Sequence, residues 1–264
     1  MNSRVESVID AARANGRGVL VGYLPAGFPN VETCVDALIA LSESGVDIIE
    51  LGVPYSDPVM DGAVIQRATN AALEGGFRLT QLFDIIRAAT EKVNTPILVM
   101  TYWNPVVQYG VDRFAKDLKA AGGVGLITPD LIPDEASEWL AASDAHGLDR
   151  VFLAAPSSTD ERLASTITYS RGFVYAVSTM GITGARADVD VAARSLVERL
   201  TGLGAIYVCV GVGISTAEHV RSVTAYASGA IVGSHLVSAL TNDGPAGVAR
   251  VTSELVAGLS VRQA

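Results

Sequence analysis

The segment Val19–Leu24, VLVGYL, is a short, continuous apolar run of a kind that recurs along the chain. Because apolar and polar residues do not alternate in it, both faces of the predicted strand are buried, as in a parallel sheet. Seven further runs of the same kind bring the number of predicted strands to eight. They are Asp47–Gly52, Pro96–Thr101, Val124–Thr128, Val151–Ala155, Phe173–Ser178, Ile206–Gly211 and Gly229–Gly233.

Stretches with helical periodicity lie between these strands, and the spacing of roughly 30 residues is that of one βαβ unit. Eight evenly spaced strands favour a closed barrel, because a doubly wound open sheet usually has five or six. No linker rich in Pro, Gly or Ser interrupts the pattern. We therefore predict a single (β/α)8 TIM barrel domain over residues 1–264. The predicted helices are Glu32–Ser44, Leu79–Val93, Val111–Ala121, Asp134–Ala145, Glu161–Tyr169, Val189–Leu200, Ala217–Tyr226 and Gly244–Leu259.

The first residues predict a leading helix that covers the N-terminal end of the barrel. Ser3 and Glu6 have the spacing of a capping box, in which each side chain satisfies a backbone N–H of the other residue.

Composition narrows the classes of function. The chain has 264 residues, of which 49% are hydrophobic and 18% charged, so it has ample material for a core. Its net charge is −9 and it contains no basic tract, which makes nucleic acid and anionic membranes poor partners. Two distant cysteines, an N-terminus without a signal peptide and the lack of a membrane-length apolar run predict a soluble cytoplasmic protein.

Glycines after the last two strands are candidates for a phosphate site. The seventh strand leads into VGVGIS and the eighth into VGSH, the two loops that bind phosphate in this fold. Gly211 and Gly213 allow close approach of the backbone, while Gly233 and Ser234 begin a helix whose N-terminus favours an anion. The alternative is that these glycines serve only tight turns. Because one such pair of residues occurs in each of the two loops that bind phosphate in this fold, we favour the phosphate site.

Carboxylates follow the second strand, where a barrel carries its chemistry. Glu50 is embedded in apolar residues, and burial raises a carboxyl pKa toward values useful for acid–base catalysis. The alternative is a salt bridge, although no Arg or Lys lies within the predicted strands. Asp57 and Asp61 lie in the turn-rich loop Gly52–Gly62, and one of them is expected to reach over the strand ends. Asx-turns or helix capping explain both aspartates equally well.

Two further features lie at the predicted mouth. The loop Thr179–Asp190 is long for a βα connection and is a candidate lid. Aromatic and apolar residues at strand ends are candidates for a flat-walled pocket, although alternation along a strand sends about half of them to the outer core. They are Tyr23, Leu24, Met100, Tyr102, Trp103 and Tyr175.

Few side chains are available for a Schiff base or a metal site. All three lysines fall on predicted helices or their ends, and so do His146 and His219. His235 alone lies near the mouth, where a single histidine is more often structural. A phosphate site with a carboxylate is typical of a sugar-phosphate enzyme. Without lysine or metal, the substrate itself has to supply the electron sink.

The segment ELGVPYSDPVMDGAVIQ, Glu50–Gln66, closely resembles the defining segment of the tryptophan synthase α-subunit family. The resemblance continues in order through VGYLPAGFP, MTYWNP, GLITPDLIPDEA, STMGITG, VGVGIS and VGS, over nearly the whole chain. It implies a (β/α)8 barrel that cleaves indole-3-glycerol phosphate to indole and glyceraldehyde 3-phosphate in tryptophan biosynthesis.

The resemblance also implies residue roles. Glu50 matches the catalytic glutamate and Asp61 the catalytic aspartate of the family. Protonation of indole C3 turns the ring into an electron sink, while Asp61 accepts the indole N–H and Glu50 transfers the protons. The residues that match substrate-binding positions are Tyr23, Met100, Tyr102 and Tyr175 around the indole, Thr183 in the lid, and Gly184, Gly213, Gly233 and Ser234, beside Gly211, around the phosphate.

Three of the matched positions depart from the enterobacterial form of the family. Val212 replaces an aromatic residue, Met100 a leucine and Tyr23 a phenylalanine. All three keep the pocket apolar, so they bear on the fit to indole.

Two proline-rich loops predict a partner. Pro54–Pro58 and Pro129–Pro133 lie at the mouth, and the second holds Leu131 and Ile132. Covering neighbouring helices is the alternative for these apolar residues. The resemblance implies docking of this face onto a tryptophan synthase β subunit in an α2β2 complex, with Asp57, Pro129, Leu131 and Ile132 in the interface. It implies pyridoxal phosphate in the β subunit only, and no cofactor or metal in this chain.

Two other functions compete with this prediction. One is a sugar-phosphate isomerase or epimerase on the same fold, which requires a second acid–base residue on another strand or a metal. The other is a non-catalytic barrel that only binds a ligand or regulates a partner. The presence of both Glu50 and Asp61 disfavours it.

Overall fold

Eight parallel strands close into a barrel in which each strand pairs with the next along the chain, and the eighth pairs with the first. The structure is a computed structural model that describes residues 3–177, 186–211 and 213–259, without the side chains of residues 186–190. All eight predicted strands are confirmed. They are β1 (Val19–Pro25), β2 (Ile48–Gly52), β3 (Ile97–Met100), β4 (Gly125–Thr128), β5 (Asp149–Ala154), β6 (Val174–Val177), β7 (Val208–Gly211) and β8 (Gly229–Val232).

Helices surround this barrel, and every predicted helix is present, Val111–Ala121 with the predicted ends and the others with shifted ends. No helix in the described part of the chain is long and apolar enough to cross a membrane. The helices are α1 (Arg4–Ala14), α2 (Val31–Glu43), α3 (Ala63–Glu74), α4 (Leu79–Thr90), α5 (Trp103–Tyr109), α6 (Val111–Ala121), α7 (Ser137–His146), α8 (Asp160–Tyr169), α9 (Arg186–Gly202), α10 (Ala217–Thr224) and α11 (Ser234–Val256).

Two helices were not predicted. The first, α3, begins after Gly62, which has no side chain to cap it, and the second, α5, has only seven residues and contains Pro105. The predicted tail helix is the second half of α11. Its first half is separated from the second by Gly244, whose φ of 62° breaks the helix just before Pro245.

Two apolar clusters make up the core. The larger fills the space between the strands and the outer helices. The smaller fills the barrel, where Val19, Val21 and Ile48 meet Val5 and Ile9 of α1. The leading helix therefore closes the N-terminal end of the barrel, as predicted.

The polar contacts of α1 correct the predicted capping box. Ser3 caps the helix, since its Oγ accepts a hydrogen bond from Glu6 N at 3.0 Å. Glu6 does not return the bond, because its carboxylate accepts from Gly172 N at 3.0 Å instead. Ser3 Oγ also donates to the buried Asp149 at 2.8 Å, and Arg171 Nε lies 3.6 Å from that carboxylate. Hydrogen bonds therefore hold the helix to β5 and to the start of β6.

Candidate active site

Alternation along the strands defines a layer of side chains at the mouth of the barrel. Val21, Ile48, Leu98 and Phe173 belong to the cluster inside the barrel, so the residue two positions further along each strand also points inward. The same step applied to every strand with an inward residue gives the mouth layer. Its members are Tyr23, Glu50, Met100, Pro129, Leu153, Tyr175, Gly211 and Gly233.

This alternation settles several strand-end predictions. Tyr23 and Tyr175 point into the barrel, where their rings lie against Gly52 and Gly211, although Tyr23 also contacts the larger cluster. Met100 packs against both clusters. Leu24 is fully buried in the larger cluster, and Trp103 packs against it. Leu153, partly exposed beside Tyr175 in the sheet register, was missed. Its position two residues after Val151 was the available signal.

Glu50 is buried and has no basic partner. It is 2% exposed, and its Oε2 has no hydrogen-bond partner among the described residues. Burial raises the pKa of Glu50 to about 8, and the nearby charge of Asp61 raises it further. The carboxyl group is therefore protonated at neutral pH and suited to donate a proton.

The alternative of a salt bridge does not hold for the described residues. The strand β5 begins earlier than predicted, so Arg150 does lie within a strand, contrary to the expectation. However, Arg150 lies near the N-terminal end of the barrel, where it donates to Tyr169 O at 2.6 Å and to Asp144 Oδ1 at 2.6 Å. Its contacts are with α7 and α8 and not with the mouth.

Asp61 is held over the strand ends by an aromatic residue that follows β3 and precedes α5. Tyr102 Oη donates to Asp61 Oδ1 at 3.2 Å and accepts from Met60 N at 3.0 Å. The ring of Tyr55 packs 5.3 Å from the ring of Tyr102. Burial raises the pKa of Asp61, and the Tyr102 hydrogen bond opposes the rise. One side chain thus fixes both the loop and its carboxylate.

The two aspartates of this loop have different environments. Asp57 is exposed and accepts from Ser56 Oγ at 2.5 Å, while Asp61 turns toward Tyr102. Neither aspartate caps α3, because the N-cap residue is Gly62 and it makes no side-chain hydrogen bond. Of the two, only Asp61 has the contacts of a mouth residue.

The expected phosphate site lies at the start of α11. Gly233 is its N-cap and Ser234 its exposed first residue, so the first backbone N–H groups face the mouth without a side-chain cap. Gly213 has φ of +45°, a conformation that favours glycine. Gly211 differs, because a Cβ there would meet Tyr175 Oη at 2.5 Å. Its small size therefore makes room for a tyrosine ring.

Some predicted residues lie outside the described part of the chain. They are Thr183, Gly184 and Val212, with much of the candidate lid Thr179–Asp190.

The loops predicted to meet a partner are partly exposed. Ile132 is 41% exposed, whereas Leu131 is 4% exposed and belongs to the core, so only Ile132 presents its side chain to solvent. Pro129 is half-buried. Two exposed apolar residues beside these loops, Val59 at 75% and Val107 at 47%, were not predicted.

A closed barrel with two carboxylates and an open helix N-terminus at its mouth defines a phosphate-binding (β/α)8 barrel enzyme. Among the residues that the structure describes, no group of three or more His, Cys, Asp or Glu side chains is arranged to hold a metal. Comparison with known proteins then identifies the family. The family model for the tryptophan synthase alpha chain matches residues 9–260. The chain belongs to the tryptophan synthase alpha chain family.

Individual relatives agree over their full lengths. The tryptophan synthase alpha chain of Leifsonia xyli is 63% identical over 256 residues, covering 97% of this chain and 98% of that one. That of Mycobacterium marinum is 57% identical over 260 residues, with 98% and 96% covered. Among solved structures, a tryptophan synthase from Mycobacterium tuberculosis matches with a TM-score of 0.93 at 55% identity, over 100% of both chains. A tryptophan synthase complex from Pyrococcus furiosus matches with 0.83 at 36%, over 91% of this chain and 98% of that one.

Proposed function

We infer that this chain is a lyase that cleaves indole-3-glycerol phosphate to indole and D-glyceraldehyde 3-phosphate, the α reaction of tryptophan biosynthesis. Membership of the family supports the reaction. The observation that carries the mechanism is the buried, unpaired carboxyl of Glu50 at the barrel mouth, with Asp61 close enough to affect its pKa.

The first step is proton transfer to the indole ring. Glu50 is protonated at neutral pH and donates its proton to indole C3. The ring becomes an iminium ion whose positive charge lies at nitrogen. Asp61, held by Tyr102, accepts the indole N–H and stabilises that charge.

The second step breaks the carbon–carbon bond. The Glu50 carboxylate, which has just lost its proton, removes the proton of the hydroxyl on the side-chain carbon next to the ring. That carbon–oxygen bond becomes a carbonyl, and the electron pair of the broken bond returns to the indole ring. Glu50 ends the cycle protonated, so the reaction needs no external oxidant, reductant or base.

The substrate's two ends account for the other mouth residues. We assign the phosphate to Gly184, Gly211, Gly213, Gly233 and Ser234. We assign Thr183 to substrate binding as well, and the indole to a pocket of apolar and aromatic side chains. That pocket consists of Tyr23, Met100, Tyr102, Leu153 and Tyr175.

A matched set of variants tests these roles. Glu50→Gln and Asp61→Asn are expected to abolish or strongly reduce indole release from indole-3-glycerol phosphate. Glu74→Gln and Asp36→Asn make the same chemical changes at exposed helix positions and should leave it intact. Wild-type turnover by Glu50→Gln would refute the assignment of proton transfer to Glu50. An active sugar-phosphate isomerisation without indole release would favour the competing barrel enzyme, and binding without turnover the non-catalytic barrel.

The partner proposal concerns the exposed face of the mouth. We propose that this chain binds a tryptophan synthase β subunit in an α2β2 complex through Asp57, Pro129 and Ile132, next to the exposed Val59. Pyridoxal phosphate belongs to the β subunit in this proposal. A cytoplasmic location is part of it and is supported by two buried cysteines that form no disulfide.

Titration of the β subunit into the chain tests docking. Indole release should rise with added β subunit, because docking orders the loop that carries Asp61. Ile132→Asp should weaken binding, and Leu203→Asp, an exposed leucine after α9, should not. No activation and no complex on a sizing column would contradict the proposal.

A further inference from the structure

The ring of Tyr23 lies across a glycine on the neighbouring strand. Tyr23 pairs in register with Glu50, and Gly52 is two residues further along β2. A Cβ at Gly52 would meet Tyr23 Cε2 at 2.5 Å and Cζ at 2.6 Å, with the hydroxyl oxygen closer still. Only glycine therefore leaves room for this ring.

This packing places the Tyr23 hydroxyl on the mouth side of Glu50. Glu50 and Gly52 point to the same side of β2, because side chains two residues apart share a face. The hydroxyl occupies the place of a side chain at position 52, about 6 to 7 Å further along the strand toward the mouth. It therefore stands between Glu50 and entering substrate.

A second tyrosine uses the same packing but has other neighbours. The hydroxyl of Tyr175 lies against Gly211 of β7. The negative charges that oppose ionisation of Tyr175 come from Glu50 and then Cys209. For Tyr23 they come from Asp61 and then Glu50. Of the two hydroxyls, that of Tyr23 is the one whose ionisation both carboxyl groups oppose.

The Tyr23 hydroxyl is a neutral donor without a protein partner. Tyr23 is 4% exposed, and its hydroxyl makes no hydrogen bond within the described residues. Burial, followed by the charges of Asp61 and Glu50, raises the pKa of Tyr23 well above its usual value, so the phenol keeps its proton. Glu50 Oε2 is also without a partner. The buried Glu50 Oε2 is costly to leave without a hydrogen bond, and the Tyr23 hydroxyl on the facing strand has no partner among the described residues, so a ligand at the mouth is placed to bond both.

We propose that Tyr23 is a further catalytic residue, whose hydroxyl donates a hydrogen bond to the reacting hydroxyl of the substrate while Glu50 takes the proton from it. This inference rests on the proposed lyase function. As the proton leaves for Glu50, negative charge develops on the substrate oxygen, and a fixed donor stabilises it. The oxygen then becomes the carbonyl of the aldehyde product, and Tyr23 keeps its own proton throughout.

Tyr23→Phe tests the proposal, because it removes the hydroxyl and keeps the ring on Gly52. We expect kcat for indole release to fall about 10- to 100-fold with KM changed less than about twofold, since the bond strengthens in the transition state. Tyr109→Phe is the matched control. Its hydroxyl donates to Asp117 at 2.5 Å between α5 and α6, outside the mouth, so kcat should not change. A wild-type kcat for Tyr23→Phe would overturn the proposal.

A substrate analogue separates the hydroxyl from the ring. Indole-3-propanol phosphate carries the indole and the phosphate but no chain hydroxyl, so it should bind the wild type and Tyr23→Phe with equal Kd. A Kd weakened about tenfold by Tyr23→Phe would mean that Tyr23 acts on the indole pocket, and would refute the proposal.

Gly52→Ala provides an independent check of the packing. It displaces the ring, so kcat should fall at least as far as in Tyr23→Phe. In a chain that carries Gly52→Ala, adding Tyr23→Phe should lower kcat little further, since the hydroxyl is already displaced. Independent, multiplying losses would contradict the geometry. If the wild type released no indole at all, the proposed function would fail, whereas an inactive Glu50→Gln with a fully active Tyr23→Phe would sink only this inference.

Discussion

The buried carboxyl of Glu50 should make the stability of this barrel depend on pH, and Glu50→Gln should remove that dependence. In the folded chain Glu50 holds its proton to a pKa of about 8, against 4.5 for an ordinary glutamate. Because the unfolded chain loses the proton first, the group contributes its full stability below about pH 4.5. That contribution is lost progressively as the pH rises to about 8 and is absent above it.

The size of the effect follows from the two pKa values. At about 1.4 kcal/mol per pKa unit, the gap between 4.5 and about 8 corresponds to a loss on the order of 5 kcal/mol between pH 4.5 and 8. Glutamine carries no charge at any pH, so it avoids the loss. Its amide is itself buried without a partner at this position, which lowers stability equally at every pH. The prediction therefore concerns the slope and not the absolute value.

Urea unfolding at pH 5, 7 and 9 measures this slope. The stability of Glu50→Gln relative to the wild type should rise by several kcal/mol from pH 5 to pH 9. Glu74→Gln, at an exposed position of α3, should show no such rise. Turnover of the wild type should decline above about pH 8, where Glu50 loses the proton that it donates. Parallel pH profiles of stability for Glu50→Gln and the wild type would show that Glu50 is ionised in the folded chain, and the acid role would fail.

Three other changes have distinct expected outcomes. Asp61→Asn should lower kcat for indole release by about 10²- to 10³-fold, and should leave the Kd of indole-3-propanol phosphate within a few-fold; unchanged turnover would exclude charge stabilisation by Asp61. Gly233→Ala should raise KM at least about tenfold while the Tm stays constant, since the added Cβ makes only ordinary contacts of 3.6 Å with Ile65 and Tyr23 but blocks the proposed phosphate site; an equal fall in Tm would point to packing. Ser3→Ala should lower the free energy of unfolding by about 1 to 3 kcal/mol, because it removes an N-cap and the bond to Asp149. An unchanged urea midpoint would show that these two hydrogen bonds do not stabilise the fold.

The strands were predictable because burial on both faces leaves a local signal. In a run such as Val19–Leu24, every residue is apolar or glycine, apart from a single tyrosine, whichever way it points, so the sequence identifies the strand without its neighbours. The start of helix α3 was not predictable in this way, since its N-cap residue, Gly62, has no side chain to form a capping hydrogen bond. Only one of the two hydrogen bonds of the predicted capping box forms, because the Glu6 carboxylate accepts from the backbone N–H of Gly172, 166 residues away.

The site shows the same division between local and distant causes. Glu50 was identifiable because it is a carboxylate within an apolar strand, and no residue of that strand can pair with its charge. Asp57 and Asp61 were equivalent in the sequence, and Tyr102, 41 residues from Asp61, distinguishes them by a hydrogen bond. Leu131 and Ile132 were equally indistinguishable, since only the packing of neighbouring helices decides which of the two is covered.

The proposed phosphate site uses backbone N–H groups, and this choice bears directly on the acid role of Glu50. A lysine or arginine near the mouth would bind a phosphate dianion well, but its charge would also lower the pKa of Glu50 and ionise it. The two sites are close, because the ring of Tyr23 lies across Gly52 on one side and approaches within 3.6 Å of the position of a Cβ on Gly233 on the other. Backbone N–H groups at a helix N-terminus attract an anion through partial charges that fall off within a turn. In the phosphate site that we propose, binding by neutral groups lets Glu50 keep its proton at neutral pH, one tyrosine ring away.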